Sequence, residues 1–413
     1  MTQTTQETSF WHCQAHMPTV KRRQVVFDRG EGCYLWDTDG NRYLDVPASL
    51  WYANVGHGRA EIADAVAAQI RKLESYSSFG SYTTTPTLAL AERLADLVPI
   101  DGAKIFLTSG GSDGIDVAAK LARRYWSAVG RPDKKAVVSR DLAYHGLHAF
   151  GTSITGLEFN REGLGRLIPE TMTVPTHDTA ALAALFEAEG SRIAAFFCEP
   201  VLGTGGVIPP APGYLAEVQR LCRAHDVLFV VDEVITGFGR TGAMFATGLF
   251  GLEPDLIVMA KGITSGYLPL GAVAVSPRVA APFWADDSPL LFRQGLTYAG
   301  HATACVAAQA NLDILEREGL VDRVASLGRH LAAAVAPLAD HPLVTDVRAG
   351  VGLLAGIQVR DAEVADKVAR LCFDRGYVMR VITNATLQIS PPFTVEEHEI
   401  DGIVTTIAEA LDA

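Results

Sequence analysis

From residue 103 onward the chain repeats one unit: a short apolar run, a turn rich in glycine or charge, and a helical stretch. The runs are Lys104–Leu107, Ala136–Val138, Ile193–Cys198, Val227–Val231 and Leu256–Met259. Their apolar residues are mostly consecutive rather than alternate, the pattern of a strand buried on both faces. Such strands alternating with helices build a mostly parallel sheet covered on both sides, so the pattern reads as α/β. A further apolar run, Gly271–Val275, follows a turn-rich connection after Leu256–Met259.

The flanks differ. Phe27 to Asp45 carries two turn signals, Asp28-Arg29-Gly30 and Asp37-Thr38-Asp39-Gly40, between short apolar-aromatic runs, and reads as a small antiparallel meander. Trp51 and Tyr52 follow in a loop bounded by glycines, then helices over about 60–73 and 86–97. A long helix, 302–316, leads to helices near 320–336 and 361–375 with short strands around 353–359 and 387–389. We read residues 56–316 as a large domain and 317–413 as a smaller α+β domain, to which an N-terminal segment, 1–55, contributes. Residues 1 to about 10 read as a disordered tail.

Composition narrows the function. Of 413 residues 48% are hydrophobic and 20% charged, and a net charge of −12 disfavours nucleic acid or an anionic membrane surface as partner. No apolar run approaches the roughly 20 residues that span a bilayer. The opening MTQTTQETS has neither the basic nor the apolar region of a signal peptide. Cys13, Cys33, Cys198, Cys222, Cys305 and Cys372 stand singly, which suits reduced thiols in a cytoplasm and no metal site.

Three polar residues end three successive runs: Glu199, Asp232 and Lys261. In parallel strands they gather at one sheet edge, where open α/β sheets bind ligands. A lone lysine in such a place is ordinarily an exposed turn residue. Beside two acids it has another use, as the amine that forms a Schiff base with pyridoxal phosphate, PLP. That cofactor also needs an acid at its pyridine nitrogen and a site for its phosphate. Asp232 offers the first. The loop Ser109-Gly110-Gly111-Ser112, between a strand and a helix, offers backbone N–H groups at a helix N-terminus for the second. Tyr144, after another strand, can stack on the ring.

The sequence resembles the class III PLP-dependent aminotransferases, in their ω-transaminase (amine–pyruvate) branch. The likeness is densest in EPVLGTGGVIPP, VVDEVITGFGRTG, AKGITSGYLPLGAV and GLTYAGH. It implies fold type I, a large mostly parallel sheet domain plus a smaller one. Lys261 and Asp232 would be the catalytic pair. Gly110, Gly111, Ser112, Tyr144, His145, Glu199 and Val234 would also bind PLP, with Thr297 serving the neighbouring subunit's phosphate. The implied assembly is a homodimer with shared sites, or a tetramer of such dimers. The phosphate loop departs from the common SGSEA, and Gly300-His301-Ala302 from the usual GHP; neither touches the chemistry. Thr204 stands where relatives using 2-oxoglutarate carry an acid, and Arg380 matches an arginine that meets a substrate carboxylate. With Trp51 and Tyr52 these are the expected substrate residues. The reaction expected moves an amino group from an amine or ω-amino acid to an α-keto acid, pyruvate first. The alternatives are a PLP-dependent lyase and a transaminase using 2-oxoglutarate.

Overall fold

The computed structural model describes residues 8–413. Most of the expected N-terminal tail lies outside them, and positions 8–10 carry no regular secondary structure.

The large sheet has seven strands, in the order 104–108, 271–275, 256–259, 228–232, 193–198, 136–140 and 171–174. The last five in that order run parallel. Gly271–Val275 runs antiparallel to both of its neighbours. Each strand sends alternate side chains to opposite faces, and both faces are covered. Leu256 and Val258 join a core under the helix Gly111–Ala128, while Ile257 and Met259 join one continuous with the helix Ala302–Arg317. Each such side chain contributes about 1.5–3 kcal/mol through burial. This explains why consecutive apolar residues were needed.

The meander forms as expected from Phe27–Glu31, Tyr34–Asp37 and Arg42–Asp45, and its sheet gains a fourth strand from far along the chain, Tyr377–Val378. A separate sheet holds Val344–Arg348, Ala355–Val359, Thr386–Ile389 and Arg380–Ile382 in that order. The core around Ile257 and Met259 continues through Leu44, Ile357, Leu387 and Ile403, so the sheets share one apolar interior. No helix among the described residues is long and apolar enough to cross a membrane.

Arg240 is wholly buried. Its Nη1 donates to the carbonyls of Ser390 and Pro391 at 3.0 and 2.7 Å, and its Nη2 to Asn54 Oδ1 at 2.9 Å. One guanidinium thus joins the N-terminal loop, the GFGRTG turn and the C-terminal segment. Burial pulls its pKa down to about 9.

Candidate active site

Strand register decides what meets at the carboxyl edge of the large sheet. Cys198 pairs with Val231 and Asp232 with Val258, so the residues that end these strands, Glu199, Asp232 and Lys261, lie side by side. They line a cavity of about 200 Å³ together with Gly111, Ser112, Tyr144, His145 and Val234. Ile115, Gly146 and Ile235, which the sequence reading passed over, complete the wall.

Asp232 is buried and its two oxygens are held apart in function. Oδ1 accepts the backbone N–H of Val234 at 3.0 Å, and Oδ2 lies 2.7 Å from His145 Nδ1. His145 is buried too, and its Nε2 has no hydrogen-bond partner among the described residues. Glu199 accepts from the backbone N–H groups of Tyr144 and Gly203, both at 3.0 Å, which fixes its carboxylate against the end of the neighbouring strand. Burial raises its pKa, reinforced by Asp232 and opposed by His145 and those two N–H bonds. Arg140, also fully buried, donates from behind to the Glu199 carbonyl.

Lys261 opens a single 3-10 turn, Lys261–Ile263, at φ +48°, a left-handed conformation that non-glycine residues avoid. Strain of that kind persists where the surroundings hold it, typically at functional sites. Burial draws its amine pKa down to about 8 against the pull of Asp232 and Glu199, and Arg380 lowers it further. An amine of this kind exchanges its proton near neutral pH, as an acid/base group must.

The far wall is glycine and serine. A Cβ on Gly111 would sit 2.9 Å from Cγ1 of Val234, and one on Gly146 would sit 2.2 Å from Ser112 Oγ. Only glycine lets these backbones close on the cavity. Ser112 Oγ accepts the N–H of Leu147 at 3.2 Å, tying the loop after His145 to the start of the 111–128 helix. Gly110 is extended rather than left-handed, and a side chain there would meet open space. Its carbonyl accepts from Thr108 Oγ1 and from the N–H of Gly114, so its role is to turn the chain into the helix.

These residues fit PLP. The cradle of Gly111, Ser112 and Gly146 at a helix N-terminus suits a phosphate, Val234 and Tyr144 border the space for a ring, and Asp232 and Lys261 supply the carboxyl group and the amine that the cofactor needs.

The expected substrate residues are arranged differently. Arg380 lies near enough to act electrostatically on Tyr144 and Lys261, and burial lowers its own pKa. Its Nη1 donates to Gln388 Oε1 at 3.2 Å, and no carboxylate among the described residues lies within ion-pair distance. Trp51 does not line the cavity: it is 1% exposed, packed with Val201, Ile235, Leu354 and Ile382, and reaches the site only through Ile235. Tyr52 packs on Gly266 and accepts from Ser49 Oγ at 2.6 Å. Thr204 sits half-buried in the loop after Glu199, outside the cavity wall. Thr297 is exposed and does not line this chain's own cavity.

Known proteins resemble this chain over nearly its whole length. The model for the family "Aminotransferase class-III" matches residues 17–411. A putrescine–pyruvate aminotransferase of Pseudomonas aeruginosa is 34% identical over 94% of this chain and 90% of its own. An (S)-enantioselective omega-transaminase from Thermomicrobium roseum superposes with a TM-score of 0.93 at 36% identity, covering 97% of this chain and 95% of that one. A PLP-bound amine transaminase from an uncultivated Pseudomonas species gives the same TM-score at 34% identity and 99% coverage of both.

Proposed function

The chain belongs to the class-III aminotransferases, PLP-dependent enzymes, and from that premise we propose that it moves an amino group from an amine or ω-amino acid to pyruvate. The observation that carries the choice of acceptor is Arg380: a half-buried guanidinium near enough to Lys261 to act on its charge, with a neutral amide as its side-chain partner. A cation so placed attracts a carboxylate. Thr204, neutral where the resemblance places an acid in relatives using 2-oxoglutarate, supports the same reading. The names of the relatives, a putrescine–pyruvate aminotransferase and omega-transaminases, point the same way.

In this reading Ser112 and the N–H groups at Gly111 hold the phosphate, and Tyr144 and Val234 flank the ring. Asp232 holds the pyridine nitrogen, with His145 fixing the carboxylate's orientation through Nδ1. When bound, PLP supplies an electron sink for charge developing at the substrate carbon. The amine of Lys261 takes a proton from that carbon and returns one in the reverse half of the cycle, a task its lowered pKa suits. Arg380 binds the carboxylate of the keto acid and orients it. Ile235, backed by Trp51, bounds the apolar side of the cavity and keeps water from the reacting carbon.

Two subunits complete each site, with Thr297 serving the partner's phosphate. Exposed apolar residues lie near that loop: Tyr298 beside Thr297 in the chain, and Phe79 and Leu291, which line one pocket with Gly295 and Gly300. The free cysteines suit a reducing cytoplasm.

A donor panel tests the proposal, run with pyruvate and with 2-oxoglutarate and scored for the amino acid formed. Alanine from pyruvate with apolar amines is expected. Glutamate alone would transfer the acceptor to 2-oxoglutarate, and carbonyl product without any amino acid would make the chain a lyase.

A further inference from the structure

We propose that Gln388 is a specificity-determining residue, its side-chain amide being the dock on which Arg380 rests beside the cavity and which couples it to the strained loop bearing Trp51 and Tyr52. The proposal rests on the reading of Arg380 as the carboxylate-binding residue.

The dock is built from one cross-strand pair. Arg380 and Gln388 stand directly opposite in the antiparallel strands 380–382 and 386–389. Gln388 is completely buried, so water does not take over its bonds. Its Oε1 accepts from Arg380 Nη1 at 3.2 Å, while its Nε2 donates to Ser390 Oγ at 2.8 Å and to the Pro47 carbonyl at 3.4 Å. Ser390 Oγ donates to the same carbonyl at 3.2 Å. The amide therefore has its acceptor turned to the arginine and its donor to Pro47.

Pro47 opens a segment held under strain. Ala48, Ser49 and Trp51, none of them glycine, have φ of +48°, +58° and +69°. Such conformations persist only where neighbours over-determine them. Here the neighbours are Asp45, which accepts the N–H of Ser49 at 2.8 Å, and the Gln388–Ser390 pair on Pro47. The guanidinium and the loop carrying Trp51 and Tyr52 thus share one side chain.

Neutrality of the dock is the decisive chemistry. A carboxylate opposite Arg380 would form a charge-assisted pair and spend the positive charge before any substrate arrived. An amide satisfies one of the five guanidinium N–H donors and leaves the charge for an incoming keto acid. It also gives the arginine somewhere to rest when an apolar amine occupies the cavity, where a stray buried cation would be costly.

The test uses holoenzyme with three substitutions, Gln388→Glu, Gln388→Met and Arg380→Ala, and follows the two half-reactions separately with pyruvate and with an apolar arylalkyl amine. Gln388→Glu captures the arginine, so kcat/KM for pyruvate falls about 10–100-fold, mostly through KM, and the amine half-reaction changes by less than about threefold. Gln388→Met removes the dock, so the amine half-reaction loses about 3–10-fold and pyruvate less. A merely structural glutamine would not give opposite biases from the two changes. Equal losses in both half-reactions, or no change in either, overturn the proposal. If Gln388→Glu fails to retain cofactor absorbance, the amine-selective loss in Gln388→Met decides alone. Arg380→Ala separates the two ideas. If it spares pyruvate, the Arg380 reading itself falls; if it impairs pyruvate selectively while neither Gln388 change shows bias, only the dock does.

Discussion

His145 Nδ1 lies 2.7 Å from Asp232 Oδ2, both groups buried, at the point where the strand 228–232 ends. The contact orients the carboxylate that the proposed mechanism places at the pyridine nitrogen. Asp232→Asn keeps the shape and removes the charge. Its turnover should fall on the order of 10²–10³-fold, the range for one preorganised charge-stabilising group. Single-turnover kinetics with an amine donor measures this, and a loss below about tenfold would remove Asp232 from that role.

Lys261 should carry the cofactor covalently. Borohydride reduction of the holoenzyme and peptide mapping should place the pyridoxyl group on Lys261, and a group on any other lysine contradicts the assignment. Its pKa also has a stability consequence in the cofactor-free protein. Burial lowers it from 10.5 to about 8, so between these values the unfolded chain binds more protons than the folded one. Stability should therefore rise with pH across that window and be lost as pH falls through it. Subtracting the denaturation profile of cofactor-free Lys261→Met isolates the slope. A difference profile flat from pH 8 to 10.5 would contradict it.

The partner surface gives a third prediction. Phe79, Leu291 and Tyr298 are 54%, 58% and 68% exposed, an unusual density of large apolar residues beside the Thr297 loop. The holoenzyme should sediment as a dimer or a multiple of it, and Leu291→Asp should weaken association and cofactor retention together, because binding that requires the dimer is linked to it by mass action. A fully active monomer refutes shared sites.

Arg240 should matter for stability rather than chemistry. Arg240→Met leaves the carbonyls of Ser390 and Pro391 and the oxygen of Asn54 buried without their donor. At about 1–3 kcal/mol for each unsatisfied group, a loss of at least about 3 kcal/mol is expected in denaturant unfolding.

The cavity's main residues were legible because buried parallel strands are written as unbroken apolar runs, and the residue after each run falls at the same edge. Glu199, Asp232 and Lys261 were found that way. The direction of Gly271–Val275 is not carried by its composition, since GAVAV suits either sense; the short connection from Met259, too brief for a covered crossover, is what makes it antiparallel. Trp51 was readable only as an aromatic in a glycine-bounded loop, which does not distinguish lining from packing, and it packs behind Ile235. Gln388 was invisible for another reason. A glutamine in the strand TLQI looks like an exposed position, and its partner Pro47 lies 341 residues away.

In the proposed function substrate choice turns on Arg380, and one measurement tests that most directly: stopped-flow kinetics of the two half-reactions in Arg380→Ala. A charge-assisted hydrogen bond is worth about 1.5–3 kcal/mol, so kcat/KM for the pyruvate half-reaction should fall by about one to two decades. The half-reaction with an apolar amine, which offers the guanidinium nothing, should change far less. Equal losses in the two half-reactions would mean that Arg380 supports the fold or the cofactor, and the account of how one cavity serves an amine and a keto acid would be wrong.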